Sequence, residues 1–164
     1  MLRKLKVAAI VLVAVLLNQV AGYVVHAAVP DAFLASGSTR YAVAYAADEI
    51  TNSSNTYADI PGMRASISIP EGKRGDVLLL FCAESWTDGA TRVAPWIAGA
   101  YGTPSSTQIR ISPPGGFAES RCFNFHRLNV HAGTKIVKMQ WREAGGGTSS
   151  LGVRHMIVIV NLHN

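Results

Sequence analysis

Short apolar segments separated by turn sequences limit the folds open to this chain more than any other feature. The segment at 60–69 shows the pattern best, because Met63, Ala65, Ile67 and Ile69 alternate with mostly polar residues. A period of two is that of a strand with one buried face. Turn sequences recur every 8 to 14 residues beyond Tyr41, and no helical periodicity interrupts them. The spacing predicts an all-β sandwich or barrel of about eight strands.

Two predicted strands are apolar on both faces. One contains the uninterrupted run from Val77 to Phe81, and the other covers 153–162. Strands of this kind are usually covered on both sides. A further strand at 92–98 contains Pro95, which predicts an edge position or a bulge, because proline cannot donate to a strand ladder.

Residues 1–27 have the order of a secretory signal peptide. Three basic residues within the first six precede an apolar run at 7–17, and Val25-His26-Ala27 offers a small-residue cleavage pattern. An uncleaved membrane anchor over 7–25 is the alternative, although Asn18 and Gln19 interrupt it. We therefore expect a secreted or extracytoplasmic protein with no membrane contact after cleavage. Residues 28–40 would form a linker or N-terminal arm, and 41–164 the β domain.

The basic balance of the chain is largely a property of the predicted signal. The whole chain has 15 Lys and Arg against 10 Asp and Glu, but three of the basic residues lie in its first six positions. The densest remaining pair is Lys73-Arg74. Nucleic-acid binding needs clustered basic residues, so the sequence predicts no nucleic-acid partner.

Cys82 and Cys122 are the only cysteines. An exported protein can form a disulfide, and two cysteines suffice for one bridge. Two free buried thiols are the equal alternative on composition alone.

Four motifs resemble those of a family of exported bacterial β-sandwich domains of the actinobacterial type. They lie at 57–63, 67–70, 78–84 and 132–141. The chain departs from the family at Cys82, where serine is usual, and at Lys135, where histidine is frequent. The resemblance implies no activity. Its layout is similar to the jelly rolls of tumour necrosis factor-like domains, which usually trimerise. It therefore implies an antiparallel two-sheet sandwich of jelly-roll type.

This layout implies a pairing between the strands at 76–85 and 119–128. If Cys82 faces Cys122, Leu80 lies opposite Asn124 and Leu78 lies opposite His126. A disulfide between the two cysteines is then the expected state.

The same layout predicts an apolar outer surface. Leu78 and Leu80 would face outward, and we assign Met156 and Val158 of the last strand to the same interface. Exposed apolar patches of a few hundred Å² usually mark interfaces, so a homo-oligomer is expected, with a trimer favoured. The alternative is that residues 32–43 lie over this face.

Three aromatic residues are candidates for ligand binding. Trp86, Trp96 and Tyr101 could cluster at one end of the sandwich and stack on a glycan, which makes a glycan or cell-surface partner possible. Core packing is the alternative. The loops at 86–91, 99–106 and 143–150 are the expected contact surfaces.

Catalytic and metal-binding patterns are missing from the sequence. The spacings of His126, His131, His155 and His163 match no zinc signature, and Glu84 and Glu119 would point to opposite sides of their sheet. We therefore predict no catalytic residue, metal or cofactor.

The sequence favours an exported, non-enzymatic binding or structural module that self-associates. A carbohydrate-binding module is the alternative, and a glycoside hydrolase-like enzyme is less favoured.

Overall fold

The computed structural model describes residues 39–104, 109–112 and 118–164, and every regular element in them is a strand. The predicted signal at 1–27 and most of the arm at 28–40 lie outside the described residues. No helix among them is long and apolar enough to cross a membrane. The strands are β1 (Thr39–Ala46), β2 (Ile50–Asn52), β3 (Ala58–Thr87), β4 (Thr91–Ile97), β5 (Ala100–Tyr101), β6 (Arg110–Ser112), β7 (Glu119–Glu143) and β8 (Ser149–His163).

Two long strands hold the fold together. β3 has 30 residues and β7 has 25, and each bends so that it runs through both layers. Sheet A contains β1, β8, the second half of β3 and the first half of β7. Sheet B contains the first half of β3, the second half of β7, and β4 with the short strands β5 and β6. All pairs are antiparallel, which confirms the predicted two-sheet sandwich of jelly-roll type.

The bends of β3 and β7 lie opposite one another. The β3–β7 register shifts between Ile69 and Arg74. Gly72 on β3 has φ +73° and Gly133 on β7 has φ +108°, a region that glycine enters without steric cost. The turns expected at 70–75 and 132–133 are therefore bends within continuous strands.

The core lies between the two sheets. Alternate residues of each strand point inward, so the period of two seen in the sequence becomes one buried cluster. Its completely buried members from sheet A include Leu79, Phe81, Phe125, Met156 and Val158, and those from sheet B include Met63, Val93, Ile97, Val137 and Met139.

One charged side chain is buried among these residues. Arg154 of β8 is fully buried, and its guanidinium donates to the carbonyl oxygens of Asp48, Pro61 and Gly152 at 2.5 to 3.2 Å. It also pairs with the Asp48 carboxylate at 3.0 Å. A buried guanidinium is tolerated when its donors are satisfied. Arg154 therefore fixes the segment that follows β1 to the start of β3.

Pro95 lies where its missing N–H is not needed. β4 pairs with β7 on one side, while β5 and β6 cover only the two ends of its other side. Pro95 uses its carbonyl oxygen, which accepts the N–H of Gly102 at 3.1 Å.

Candidate functional site

The expected disulfide is present. Cys82 and Cys122 are bonded, with their Cα atoms 4.0 Å apart. The register of β3 and β7 is the predicted one, since Leu78 pairs with His126 and Leu80 pairs with Asn124. Both cysteines lie on the outer side of sheet A, because the inward positions beside them are the buried Phe81 and Ala83.

The outer side of sheet A carries a block of side chains without formal charge, which we call the uncharged face. It comprises three rows across β1, β8, β3 and β7. Tyr45, Val43 and Leu78 are the most exposed apolar members, at 51%, 40% and 39%. The rows are Tyr41, Ile159, Leu78 and His126; Val43, Ile157, Leu80 and Asn124; and Tyr45, His155, Cys82 and Cys122. None of these twelve positions holds Lys, Arg, Asp or Glu.

The assignment of Met156 and Val158 to this surface is wrong. Both side chains are completely buried in the core. The register explains the error, because Ile157 pairs with Leu80 and Ile159 pairs with Leu78. The outward members of β8 are therefore Ile157 and Ile159.

The described part of the N-terminal arm does not cover the uncharged face. Residues 39–46 form β1, which pairs with β8 and extends sheet A at its edge. Tyr41, Val43 and Tyr45 thus add to the face. The rest of the segment expected to cover it, 32–38, lies outside the described residues.

Sheet B carries a cluster of aromatic rings on its outer side. Trp96 of β4 pairs with Tyr101 of β5, and their rings meet edge to face with centroids 5.1 Å apart and planes at 89°. Tyr57 lies 6.3 Å from Tyr101, and the guanidinium carbon of Arg142 lies 5.3 Å from the Tyr57 ring centroid. Tyr101 is 44% exposed. We call Tyr57, Trp96, Tyr101 and Arg142 the aromatic surface.

Trp86, the third aromatic residue expected here, lies elsewhere. It pairs with Ser150 of β8 at the end of sheet A and packs over Gly152, where an added Cβ would come within 3.2 Å of its ring. The chain passes from sheet A to sheet B between Thr87 and Thr91, which separates Trp86 from Trp96. Tyr57 was missed because it precedes β3 in a polar segment that carries no periodic signal.

Polar side chains continue the aromatic surface along sheet B. Asp59 accepts hydrogen bonds from Lys138 at 2.7 Å and from Gln140 at 2.8 Å. Burial acts to raise the pKa of Asp59, but these hydrogen bonds, with the charges of Lys138 and Arg64, lower it below its usual value. Gln140 Oε1 and Arg142 Nε are buried and have no hydrogen-bond partner among the described residues. These two atoms are closed to solvent, so the accessible acceptor and donor beside the rings are Asp59 and Lys138, whose side chains are 49% and 22% exposed.

Two of the loops expected to form contact surfaces are hydrogen-bonded to each other. Glu143 accepts the backbone N–H groups of Ala90, Gly145 and Gly146 at 2.5 to 2.9 Å. Burial acts to raise its pKa, but these hydrogen bonds and that of Gly147 outweigh burial and lower the pKa to about 2. Glu143 therefore holds the loops at 86–91 and 143–150 in a fixed arrangement, and their role as contact surfaces stays a prediction.

Of the histidines, His163 has a carboxylate neighbour, since its Nε2 lies 3.2 Å from Asp76 Oδ1. The candidate carboxylates each have a different neighbour in the described ranges. Glu84 lies opposite Ser120, Glu119 pairs with Arg121 at 2.5 Å, and Asp88 accepts the N–H of Thr148. No group of three potential metal ligands occurs within 39–104, 109–112 and 118–164.

Comparison with known proteins gives fold similarities only. No protein-family model matches the chain, and no curated protein matches it significantly. A chain of infectious bursal disease virus strain Gx is similar over 77% of this chain, with 14% identity and a TM-score of 0.48. Dimeric latent PorU from Porphyromonas gingivalis is similar over 77%, with 8% identity and a TM-score of 0.43. This chain spans 33% and 13% of those two chains.

A smaller domain is similar along nearly its whole length. The CBM36-1 domain of a multidomain xylanase, from the hindgut metagenome of Trinervitermes trinervoides, is covered to 95%. The match extends over 71% of this chain, with 10% identity and a TM-score of 0.34. The assignment of a function therefore depends on the side chains of the two outer faces.

Proposed function

We propose that this protein is an exported, non-enzymatic binding module that recognises a carbohydrate chain through the aromatic surface. The observation that supports this most directly is the corner formed by Trp96 and Tyr101, whose rings meet at 89° with Tyr101 44% exposed. Aromatic residues combine a large apolar face with a polar tip, which suits ligands that are partly apolar and partly wet. A sugar ring has this character, with C–H groups on its faces and hydroxyl groups around its edge.

The polar groups next to the rings suit the hydroxyl groups of such a ligand. Asp59, whose side chain is 49% exposed, can accept a hydrogen bond, and Lys138, whose side chain is 22% exposed, can donate one. A few polar groups placed beside apolar rings are typical of small-molecule sites, where they fix the orientation of the ligand. The Cys82–Cys122 disulfide supports the exported location, because disulfides persist in oxidising compartments.

Binding of the purified protein to an array of neutral and charged glycans tests the proposal. Trp96→Ala and Tyr101→Ala should each weaken binding of any retained glycan by at least about tenfold, the factor that corresponds to 1.4 kcal/mol. Trp86→Ala is the matched control, because it removes a half-buried aromatic side chain from the opposite sheet. Failure to bind any glycan, or an equal loss in Trp86→Ala, would contradict the proposal.

Self-association is a second proposed property, and the uncharged face supports it. Four strands about 4.8 Å apart and rows about 6.8 Å apart give this face a footprint of about 400 Å². The largest apolar patch on a typical monomer covers about 300–600 Å² and is often functional, and apolar side chains form most of this face. Another copy of the chain is the proposed partner, in a trimer as the resemblance implies.

Light scattering of the purified protein tests this property. We expect three times the mass of one chain, and Leu78→Asp should yield monomers, since Leu78 is 39% exposed and its replacement leaves the core intact. Ser68→Asp, an exposed change on sheet B, is the control. A monomeric wild-type protein would rule out self-association.

A further inference from the structure

Three arginines stand side by side on the outer side of sheet B. Arg92 of β4 pairs with Arg142 of β7 on one side and with Arg110 of β6 on the other. Side chains at directly opposed strand positions lie about 5 Å apart, so the row places three cationic residues within reach of one polyanion.

Two further cations adjoin the aromatic surface. Lys138 pairs with Trp96 on one side and with Arg64 on the other. Among the described residues, the outer side of sheet B thus carries five cationic residues, together with the carboxylate of Asp59, which accepts hydrogen bonds from Lys138 and Gln140. The uncharged face of sheet A has no charged residue in its twelve positions. Five of the twelve lysines and arginines in 39–164 therefore lie on the side of the domain that holds Trp96 and Tyr101.

Building on the proposed carbohydrate binding, we infer that the natural ligand is an anionic polysaccharide. Its carboxylate or sulfate groups bind the row of Arg110, Arg92 and Arg142 while one of its rings stacks at the Trp96–Tyr101 corner. Guanidinium groups match both kinds of anion, because their planar donors form two parallel hydrogen bonds to adjacent oxygens. A cationic row beside an aromatic corner fits a chain that alternates apolar ring faces with fixed negative charges.

The ring geometry favours a sugar chain over a single-stranded nucleic acid. Proteins that bind single strands present aromatic rings on which successive bases stack. Here Trp96 and Tyr101 are perpendicular, and Tyr57 is tilted by 54° from Tyr101. No two of these measured rings are parallel, so they offer no continuous stacking platform.

Matched pairs of polymers test the inference. Dextran sulfate is compared with dextran, polygalacturonate with its fully methyl-esterified form, and an oligo-dT strand is included. At 0.1 M NaCl we expect at least tenfold tighter binding of a charged polymer than of its neutral counterpart, with an affinity that falls as salt rises. The dextran sulfate and polygalacturonate results show whether sulfate or carboxylate groups are preferred. Equal binding of charged and neutral polymers would overturn the inference.

Charge-removing variants test whether the row of three arginines causes the preference for anionic polymers. The double variant Arg92→Gln/Arg110→Gln should lose about tenfold in affinity for the preferred anionic polymer and keep its affinity for neutral glycans. The exposed variant Arg110→Gln alone should show part of this loss, which keeps the test valid if the double variant folds poorly. Arg121→Gln on sheet A is the control, and it should bind like the wild type.

The outcomes separate this inference from the function on which it rests. If neutral glycans bind and Trp96→Ala abolishes that binding, carbohydrate recognition holds and the anionic preference is wrong. If no polysaccharide binds, both are wrong. If oligo-dT binds more tightly than every polysaccharide through the same arginines, the ligand is a nucleic acid and the inference is overturned.

Discussion

Cys82 and Cys122 occupy directly opposed positions on β3 and β7, with their Cα atoms 4.0 Å apart. Their bridge lies on the outer side of sheet A and joins the two strands that run through both sheets. It thus connects the framework of both proposed binding surfaces without occupying space in the core.

Removal of the disulfide should lower stability without opening a cavity. The bridge closes a sequence separation of 40 residues, for which the loop-entropy relation gives about 4 kcal/mol. We expect Cys82→Ser/Cys122→Ser to lose about this amount in urea unfolding while it keeps its β-sheet circular dichroism. Wild-type protein treated with a reductant should show the same midpoint as the double variant. A variant as stable as the oxidised wild type would contradict the prediction.

Glu143 should make the stability of the domain sensitive to acid. Its pKa in the folded state is about 2, below the ordinary value of 4.5, so its carboxylate stabilises the fold above pH 4.5. That contribution is lost as the pH falls from 4.5 towards 2. Glu143→Gln should lose about 1.5–3 kcal/mol at pH 7, the usual worth of hydrogen bonds to a charged group.

Urea unfolding of wild type and Glu143→Gln at several pH values measures this effect. The stability gap between them should narrow below pH 4.5, because protonation removes the advantage of the wild type. Glu71→Gln, at an exposed position, should follow the wild type throughout. A constant gap down to pH 2 would show that the charge of Glu143 is not responsible.

The buried guanidinium of Arg154 should be hard to replace. Arg154→Met leaves the carbonyl oxygens of Asp48, Pro61 and Gly152 without their donor, and we expect a loss of about 3–5 kcal/mol. Arg154→Lys should recover little of this lost stability, because one ammonium group cannot reach all of these acceptors. Guanidinium chloride unfolding measures both variants. Arg121→Met, which breaks only the exposed ion pair with Glu119, should cost less than about 1 kcal/mol, and a similar loss at both sites would contradict the prediction.

Substitutions at two neighbouring positions of β8 should distinguish a core position from a surface position. Met156→Asp buries a charge in the core and should cost more than about 4 kcal/mol, enough to prevent folding. Ile157→Asp places the same charge on the uncharged face, so it should keep the fold and disrupt self-association. Circular dichroism and light scattering distinguish the two results. A folded Met156→Asp protein would show that the orientation of β8 is wrong.

The sequence predicted the class of fold and one strand pair closely, for a physical reason. Alternation marks which residues share a face, and a disulfide between Cys82 and Cys122 leaves only one register for β3 and β7. Alternation does not say which face is buried when both are apolar. This is why Met156 and Val158 were placed outside, although their register with β3 puts Ile157 and Ile159 there.

Strand boundaries were harder to predict than strands. Pro70 and the glycines after it are typical of a turn, as are Ala132 and Gly133. In the fold Gly72 and Gly133 adopt positive φ within strands that continue, because each bend is paired with a bend in the neighbouring strand. Such a compensation depends on tertiary pairing and leaves no local signal.

The candidate site was only partly visible in the sequence. Trp96 and Tyr101 are five positions apart and are brought together by a tight turn, so their proximity follows from local structure. The proximity of the arginines does not follow from local structure, because Arg92 and Arg142 are 50 positions apart and meet only through the pairing of β4 with β7. A chain without a basic run can therefore still fold into a basic surface.

The position of β1 at the edge of sheet A also determines how the domain responds to mechanical force. Thr39 lies opposite Asn161, so tension applied between these two positions acts across the β1–β8 ladder and breaks its hydrogen bonds one after another. Such unzipping needs little force, and β3 and β7 bear none of it until β1 has detached. A domain pulled in this way loses Tyr41, Val43 and Tyr45 from the uncharged face first, so tension would disrupt that face before the aromatic surface.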